Sequence, residues 1–460
     1  MRTTAGVEPY YSTGVAEAPS VKHLLLISYF FPPINLVGAT RWQKLARYAA
    51  ERGWSLDVIL VDPADAPGDQ DKSRLIDLPR GVTLYTLPDR PSPHYDLQRR
   101  LWRAVRPLFR RGESRQMAGE ENGTPPTVVN GRRIGPAYLA RLHYGELRRW
   151  ARAAARLGCQ LADQRRPDLV VSSGPPQSAH MAACLIAERT GVPWVMDMRD
   201  PWYSIELAPK DMVSRTWAHL AAHHEARCIR TARLVSVTTE ALRRELDQRY
   251  PDAAARLLTV MNGADPQPIP AVPRSERFTI AYAGNLYVGR DPRNLLRAVA
   301  RVSQALSLTP RDLSVEFMGG GEFARKPIVE IASEVGADPF VTVIPPQPHR
   351  VALEFLANAS MLVSLPQYAH LAIPAKVFEY SQFDAWLLIL AKRESATELL
   401  FRDTTADVVE PEDVEAIAEA IGRRFEQHRR GERARAINFD GRFDRRVQAT
   451  ILLDRMEQLG

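Results

Sequence analysis

The sequence predicts an α/β protein built from two doubly wound, Rossmann-like domains, and three observations carry that prediction. Short apolar runs alternate with amphipathic stretches from His23 onward. The rhythm stops at the proline-rich segment Pro266–Arg277 and restarts at Phe278. The length, 460 residues, suits two or three domains of about 100–200 residues each.

The first twenty residues are polar and read as a disordered arm. His23–Tyr29 is a continuous apolar run, as expected of a strand buried on both faces. After the loop FFPPINLVGAT, the segment RWQKLARYAAERG puts Trp42, Leu45, Ala46, Ala49 and Ala50 on one helical face, with Gly53 as the stop. Leu56–Val61 is the next strand. Residues 92–150 then interrupt the pattern and are too long for an ordinary connection. Within them, 96–111 sets Leu97, Leu101, Trp102, Val105, Leu108 and Phe109 against six arginines, as in a helix that lies on an anionic membrane surface. Pro107 sits inside that pattern and disfavours a continuous helix. The same apolar stripe would also suit packing on the first domain. Residues 112–135 read as a mobile polar loop.

The alternation resumes with a strand at Leu169–Ser172, a helix around His180–Thr190 and a strand at Pro193–Met198. A helix at Trp217–Thr231, a strand at Leu234–Val237, a helix at Glu240–Arg249 and a strand at Leu258–Met261 follow. This order argues for a parallel, doubly wound sheet. The four prolines of 266–277 and its lack of periodicity mark an interdomain linker. Beyond it come strands at Phe278–Tyr282, Leu313–Met318, Val341–Ile344 and Met361–Leu365. Helices fall near Pro292–Leu306, Lys326–Val335 and Val351–Ala357. The expected bounds are an arm at 1–20, a first domain at 21–265 with an insertion at 92–150, a linker at 266–277 and a second domain at 278–436. A helical segment at 437–460 closes the chain and could cross back to the first domain. Ligands of open α/β sheets sit outside the carboxyl ends of the strands, so a site is expected in the cleft where the two sets of ends face each other.

Composition narrows the function. With 45% hydrophobic and 25% charged residues, wholesale disorder is excluded. A net charge of +7 is modest at this length, and no nucleic-acid partner is expected unless that charge gathers on one face. Cys159, Cys184 and Cys228 lack disulfide-framework or zinc spacing, which fits a reducing, cytoplasmic setting. No apolar run approaches the about 20 residues of a membrane span.

Four constellations carry candidate chemistry. Gly38 lies in the loop before a helix expected to open near Thr40, where a glycine lets a ligand approach backbone N–H groups. Asp197–Trp202 (DMRDPW) ends a strand; Arg199 and Asp200 there are either functional or a buried structural pair. In YAGNLYVGRDPR, residues 282–293, Gly284 and Gly289 permit a tight loop, while Arg290 and Arg293 offer fixed charge to a diphosphate or form a solvated surface pair. No GxxxxGK[ST] occurs, and MGGGEF at 318–323 is not a dinucleotide fingerprint. In AIPAKVFEY, Pro374 suits a helix start, leaving the Ala375 N–H available. Lys376 and Glu379 share a face there, either as an exposed ion pair or as phosphate and ribose ligands.

Together these motifs resemble the glycosyltransferase family 4 branch of GT-B enzymes, from about His23 to Ala420 with 92–150 unmatched. The matching pieces are SYFFPPINLVGATRWQKLARYAAERGW, PDLVVSSGPPQSAH, VPWVMDMRDPW, ARLVSVTTE, VMNGAD, YAGNLY, FMGGGEF and AIPAKVFEY, in the family's order. The resemblance implies two Rossmann-like domains facing a cleft and retaining, metal-independent transfer of a sugar from a nucleotide-sugar to an acceptor hydroxyl, with no cofactor. It implies that Gly38 lies near the donor phosphate, that Arg290 takes the place of a phosphate-binding lysine and that Glu379 is the ribose ligand. Asn285 stands where an arginine is usual, Leu371 where a first glutamate is usual, and Arg199 where a histidine stands near the reacting centre. On this basis Arg290, Lys376 and Arg199 are the catalytic candidates. Gly38, Gly284, Asn285, Arg293, Ala375 and Glu379 are the donor-binding candidates. Asp200 and His180 are the acceptor-side candidates, and no metal ligand is expected. The expected partners are a nucleotide-sugar, a glycan or lipid-linked acceptor and, through 96–111, an anionic membrane at the inner face of the cell membrane. A GT-B-like sugar-nucleotide epimerase and a catalytically silent partner subunit remain as alternatives.

Overall fold

The computed structural model describes residues 8–14, 22–90, 97, 134–202, 212–272, 275–287, 289–367 and 369–459. The basic helix expected over 96–111 lies outside them but for Leu97, as does the loop expected over 112–135 as far as Ile134. The described residues form two compact units. The first takes those up to Val237, Leu246–Leu258 and those from Leu452; the second takes Thr238–Glu245 and Thr259–Ile451.

The strands of the first unit are β1 (Tyr11–Ser12), β2 (Lys22–Ser28), β3 (Trp54–Val61), β4 (Val82–Leu87), β5 (Leu169–Gly174), β6 (Trp194–Met198), β7 (Leu234–Val237) and β8 (Leu257–Thr259). They form one sheet in the order β1-β4-β3-β2-β5-β6-β7-β8, and β2 to β7 pair in parallel. The order reverses between β2 and β5, which sets the switch point where such sheets bind ligands. Leu24–Ile27 and Val58–Val61 are almost fully buried, as their continuous apolar runs demand. The helix Val37–Glu51 opens earlier than its apolar face suggested, with Leu36 as its N-cap. Gly53, at φ 78°, ends it by donating to the Ala50 carbonyl at 2.9 Å.

Two expectations for the first unit need correction. Part of the supposed arm is a strand: Tyr11 and Ser12 pair antiparallel with Leu84 and Thr83, so a two-residue strand covers the edge of β4. The end read for the insertion at 150 falls inside an element, because Ile134–Gln164 is a helix of 31 residues that also takes in the last two positions of the loop expected over 112–135. Its Leu139, Ala140, Tyr144, Trp150, Ala151 and Ala154 are buried, and it packs on the helices Ser178–Thr190 and Arg215–Thr231. Gly158 makes that contact close, since a Cβ there would meet the Ile186 Cδ1 at 2.4 Å.

The second unit holds β9 (Phe278–Ala283), β10 (Leu313–Met318), β13 (Val341–Ile344), β14 (Met361–Ser364), β15 (Trp386–Leu390) and β16 (Asp407–Val409), with a small hairpin of β11 (Glu322–Phe323) and β12 (Lys326–Pro327). The six-stranded sheet is parallel throughout, in the order β13-β10-β9-β14-β15-β16. Alternate residues of β9 serve opposite cores: Phe278, Ile280 and Tyr282 belong to one and Ala281 to the other. The helix Arg293–Ala305 covers the first core with Leu295, Leu296, Val299 and Val302.

The boundary also departs from the one read at 265. The supposed linker, 266–277, runs within the second unit, where Ile269 packs on the core and Gln267 reaches Glu379. Prolines favour extended backbone, but the apolar side chain between them gives this segment something to bury. The closing helix, Arg445–Glu457, starts in the second unit, and its residues from Leu452 belong to the first. Among the described residues, no helix is long and apolar enough to cross a membrane.

Candidate functional site

In the first unit, the carboxyl ends of β5, β6 and β7 meet the start of the helix Val37–Glu51. Asp197 of β6 is fully buried there. Arg41 Nε donates to Asp197 Oδ2 at 3.0 Å and Nη2 to Oδ1 at 3.0 Å. The Trp42 indole N–H, Ser173 hydroxyl and Ser236 hydroxyl donate to the same carboxylate at 2.8, 3.1 and 2.8 Å. Burial alone would raise the Asp197 pKa, but Arg41 and these donors more than offset it and hold the carboxylate below its ordinary value. Arg41 is not among the residues that the motifs single out. Its signal was an arginine facing an aspartate that sits within an otherwise apolar strand, since a buried charge demands a partner.

Arg199 follows β6. Its backbone N–H donates to the Gly174 carbonyl at 2.9 Å, its Nη1 to the Gly38 carbonyl at 2.9 Å and its Nη2 to the Pro175 carbonyl. The guanidinium therefore fastens a helix start to a strand-end loop. A Cβ at residue 38 would meet Arg199 Nη1 at 2.9 Å and Phe30 at 3.1 Å. The space expected to admit a phosphate at Gly38 is taken by this arginine, so both the Gly38 and the Arg199 assignments shift from ligand contact to framework. His180, an acceptor-side candidate, is fully buried, and its Nδ1 lies 2.8 Å from the Ser172 hydroxyl. Burial, reinforced by Arg199, pushes its pKa down to about 3 against the pull of Asp197. It is a neutral packing group, not a surface that an acceptor touches. Asp200 keeps its candidacy. It is half-buried, burial raises its pKa despite Arg199, and among the described residues no donor bonds to its carboxylate.

The second unit concentrates its polar groups at the carboxyl ends of β9 and β14, again beside the switch point. Lys376 Nζ donates to the Ala283 carbonyl at 2.7 Å and to the Tyr282 hydroxyl at 3.1 Å, and lies 4.2 Å from the Tyr282 ring centroid. Arg290 stacks 4.1 Å from the Tyr287 centroid. The two residues share a turn in which the Arg290 N–H donates to the Tyr287 carbonyl at 2.8 Å and Gly289 takes φ 90°. Among the described residues, no carboxylate lies within ion-pair distance of either cation. Lys376 and Glu379 do not form the ion pair that their spacing allowed. Burial, then repulsion from Arg290, lowers the Lys376 pKa to about 7. Gly284 is required here: its φ is 119°, and a Cβ would meet Lys376 Nζ at 2.6 Å.

Two residues outside the sequence candidates hold this loop. Gln367, buried after β14, accepts from the Asp291 N–H and donates to the Asp291 carbonyl, both at 2.7 Å. Tyr282 donates its hydroxyl to the Asn285 carbonyl at 3.1 Å. Asn285 Oδ1 accepts from the Gly320 N–H at 3.0 Å, which ties the YAGN loop to the MGGG loop. Arg293 needs correction as a phosphate cation, because its Nε and Nη2 both reach Asp291 at 3.0 Å and its charge is answered there. Glu379 sits one turn beyond Lys376, with Gln267 Nε2 at 3.5 Å and His349 Nε2 at 4.0 Å from its Oε1. Ala375 opens that helix and is exposed, but the helix spans six residues, so the side-chain cations dominate over its small dipole. Leu371, in the place of a first glutamate, offers its carbonyl to the Thr239 hydroxyl at 2.6 Å.

Comparison with known proteins gives two kinds of likeness. Residues 108–263 match the model of a glycosyl transferase 4-like domain, so the match begins inside the stretch that the motifs left out. Among solved structures, sucrose-phosphate synthase from Thermosynechococcus elongatus is similar at 14% identity and TM-score 0.57, over 95% of this chain and 99% of that one. Trehalose-6-phosphate from E. coli bound with UDP-2-fluoro glucose is similar at 10% identity and TM-score 0.57, over 95% and 99%. A putative UDP-N-acetylglucosamine 2-epimerase from Listeria monocytogenes is similar at 10% identity and TM-score 0.53, over 95% and 96%. At these identities the likeness fixes the fold, two Rossmann-like domains of the GT-B kind. No curated protein sequence matches.

Proposed function

We propose that this chain, a glycosyltransferase of GT-B fold with a glycosyl transferase 4-like domain across 108–263, moves a sugar from a nucleoside diphosphate donor held on its second unit to an acceptor hydroxyl, with retention at the anomeric carbon and without a metal. The observation that carries the reading is the pair of cations at the end of β9. Arg290 and Lys376 are each braced on an aromatic face, and neither is answered by a carboxylate among the described residues. Such braces contribute about 0.5–2 kcal/mol each and leave both side chains without an anionic partner.

Breaking the sugar–phosphate bond builds negative charge on the departing diphosphate. Preorganised cations at that position lower the barrier because they need not reorient as charge develops. Lys376 gains most, since a diphosphate beside it restores the charge that burial suppresses. Glu379 is placed to accept from two ribose hydroxyls. Asp200 is placed at a strand end of the first unit, where an acceptor hydroxyl could lose its proton. The acceptor is a glycan or lipid-linked glycan in polysaccharide or glycolipid synthesis, met in the cytoplasm at the inner membrane face. The arginine-rich amphipathic sequence at 96–111 supports that location.

The test is incubation with UDP-, GDP- and dTDP-sugars, with and without candidate acceptors. Acceptor-dependent release of the nucleoside diphosphate supports transfer, and the anomeric coupling of the product reports retention. Epimerised sugar-nucleotide without acceptor consumption points to an epimerase. Donor binding without turnover points to a silent subunit. Full activity in chelator supports a metal-free reaction.

A further inference from the structure

We propose that the second unit carries another anion site, at the amino end of β15 and away from the strand carboxyl ends that hold the donor residues, that takes a phosphate-bearing ligand. A cavity of about 500 Å³ opens at the start of β15, between Trp386 and the irregular segment that ends in Arg442. That volume lies in the range of small-molecule sites. Residues 423–446 hold nine arginines against four carboxylates, which gives them five of the chain's seven net positive charges. Three of these arginines are answered from outside the stretch, Arg423 and Arg424 by Asp407 and Arg445 by Asp265.

The cavity wall is built and held. Arg424 Nε donates to Asp407 Oδ2 at 2.7 Å and its Nη1 to Gln427 at 2.9 Å, so its guanidinium is fixed 5.8 Å from the Trp386 ring. The irregular segment is pinned where the Ala436 N–H donates to Asp384 at 3.0 Å and the Asn438 N–H to the Ser381 carbonyl at 2.8 Å. Arg442 is answered by Asp440, and Arg430 by Glu432. Arg433 and Arg435 also line the cavity, and among the described residues no carboxylate pairs with either. Arg435 lies 3.9 Å from the ring of Phe439, which is 57% exposed.

Two guanidinium groups without a carboxylate partner, in a cavity lined by the Trp386 and Phe439 rings, suit a phosphate with an organic body. The planar fork of arginine binds two phosphate oxygens at once, and the rings cover apolar atoms beyond them. The phosphate could belong to a soluble molecule or to a lipid headgroup.

Equilibrium dialysis with inorganic pyrophosphate and flotation with phosphatidylglycerol vesicles separate those sources. Three full-length forms are compared: wild type, Arg433→Ala with Arg435→Ala, and Arg290→Ala with Lys376→Ala. The first pair is exposed, so thermal unfolding should be unchanged. For a soluble ligand, wild type binds two pyrophosphates per chain, and each double variant loses a different one by at least tenfold in affinity. For a headgroup, salt-sensitive flotation drops at least tenfold in the Arg433/Arg435 variant and persists in the other. Loss confined to the Arg290/Lys376 variant speaks to the donor site alone. The proposal is overturned if neither readout depends on Arg433 and Arg435.

Discussion

Lys376 reaches across the end of β9 to rest 4.2 Å from the ring centroid of Tyr282, with its Nζ donating to that residue's hydroxyl at 3.1 Å. The contact joins the helix Ala375–Tyr380 to β9, and it places a suppressed positive charge beside Arg290.

A proton should therefore accompany donor binding. The free Lys376 pKa is lowered to about 7, so above that value the amine is largely neutral until a diphosphate raises its pKa. Affinity for a nucleoside diphosphate should be highest at and below pH about 7. It should fall by as much as tenfold per unit as the pH rises toward the bound-state value. Calorimetry in buffers of different ionisation enthalpy should show proton uptake at pH about 8, and Lys376→Met should abolish it. Proton-neutral binding by wild type would count against the assignment.

Arg290→Ala and Lys376→Ala should each lower kcat by roughly 10²-fold or more, the usual loss when one charge-stabilising group is removed. Near wild-type kcat in both variants would remove leaving-group stabilisation from these residues.

Glu379→Ala should weaken nucleotide binding by about 1–3 kcal/mol, the cost of losing charge-assisted hydrogen bonds. A 2′-deoxyribose nucleotide should lose much less affinity in the variant than in wild type. An equal loss in both proteins would separate Glu379 from the ribose.

Asp197→Ala should destabilise the first unit by about 3–5 kcal/mol, because Arg41 would be left buried without its counter-charge. Arg199→Ala should act in the same direction by about 1–3 kcal/mol, through the Gly38 and Pro175 carbonyls that it holds. Denaturant titration measures both. A drop in kcat for Arg199→Ala with unchanged stability would restore a role at the reacting centre.

The two doubly wound domains were legible in the sequence because strands buried on both faces are apolar at most positions. Leu24–Ile27 and Ile280–Tyr282 are such runs, and both are buried. The helix at 134–164 has a sequence signal too, since Leu139, Trp150, Ala154 and Leu161 keep helical spacing, but the polar residues before it set the end of the insertion at 150, inside the helix. The donor-site candidates Arg290, Lys376 and Glu379 stood out through their positions after strands. Only the tertiary structure decided which charges are free. Arg293 is answered by Asp291 and Arg41 by Asp197, and Arg199 is held by two backbone carbonyls, while Arg290 and Lys376 stack on aromatic rings with no carboxylate partner among the described residues. Sequence spacing fixes which residues share a face of one element. A charge's partner is chosen by distances of a few ångströms between elements that lie far apart along the chain, and those distances exist only once the sheets are assembled.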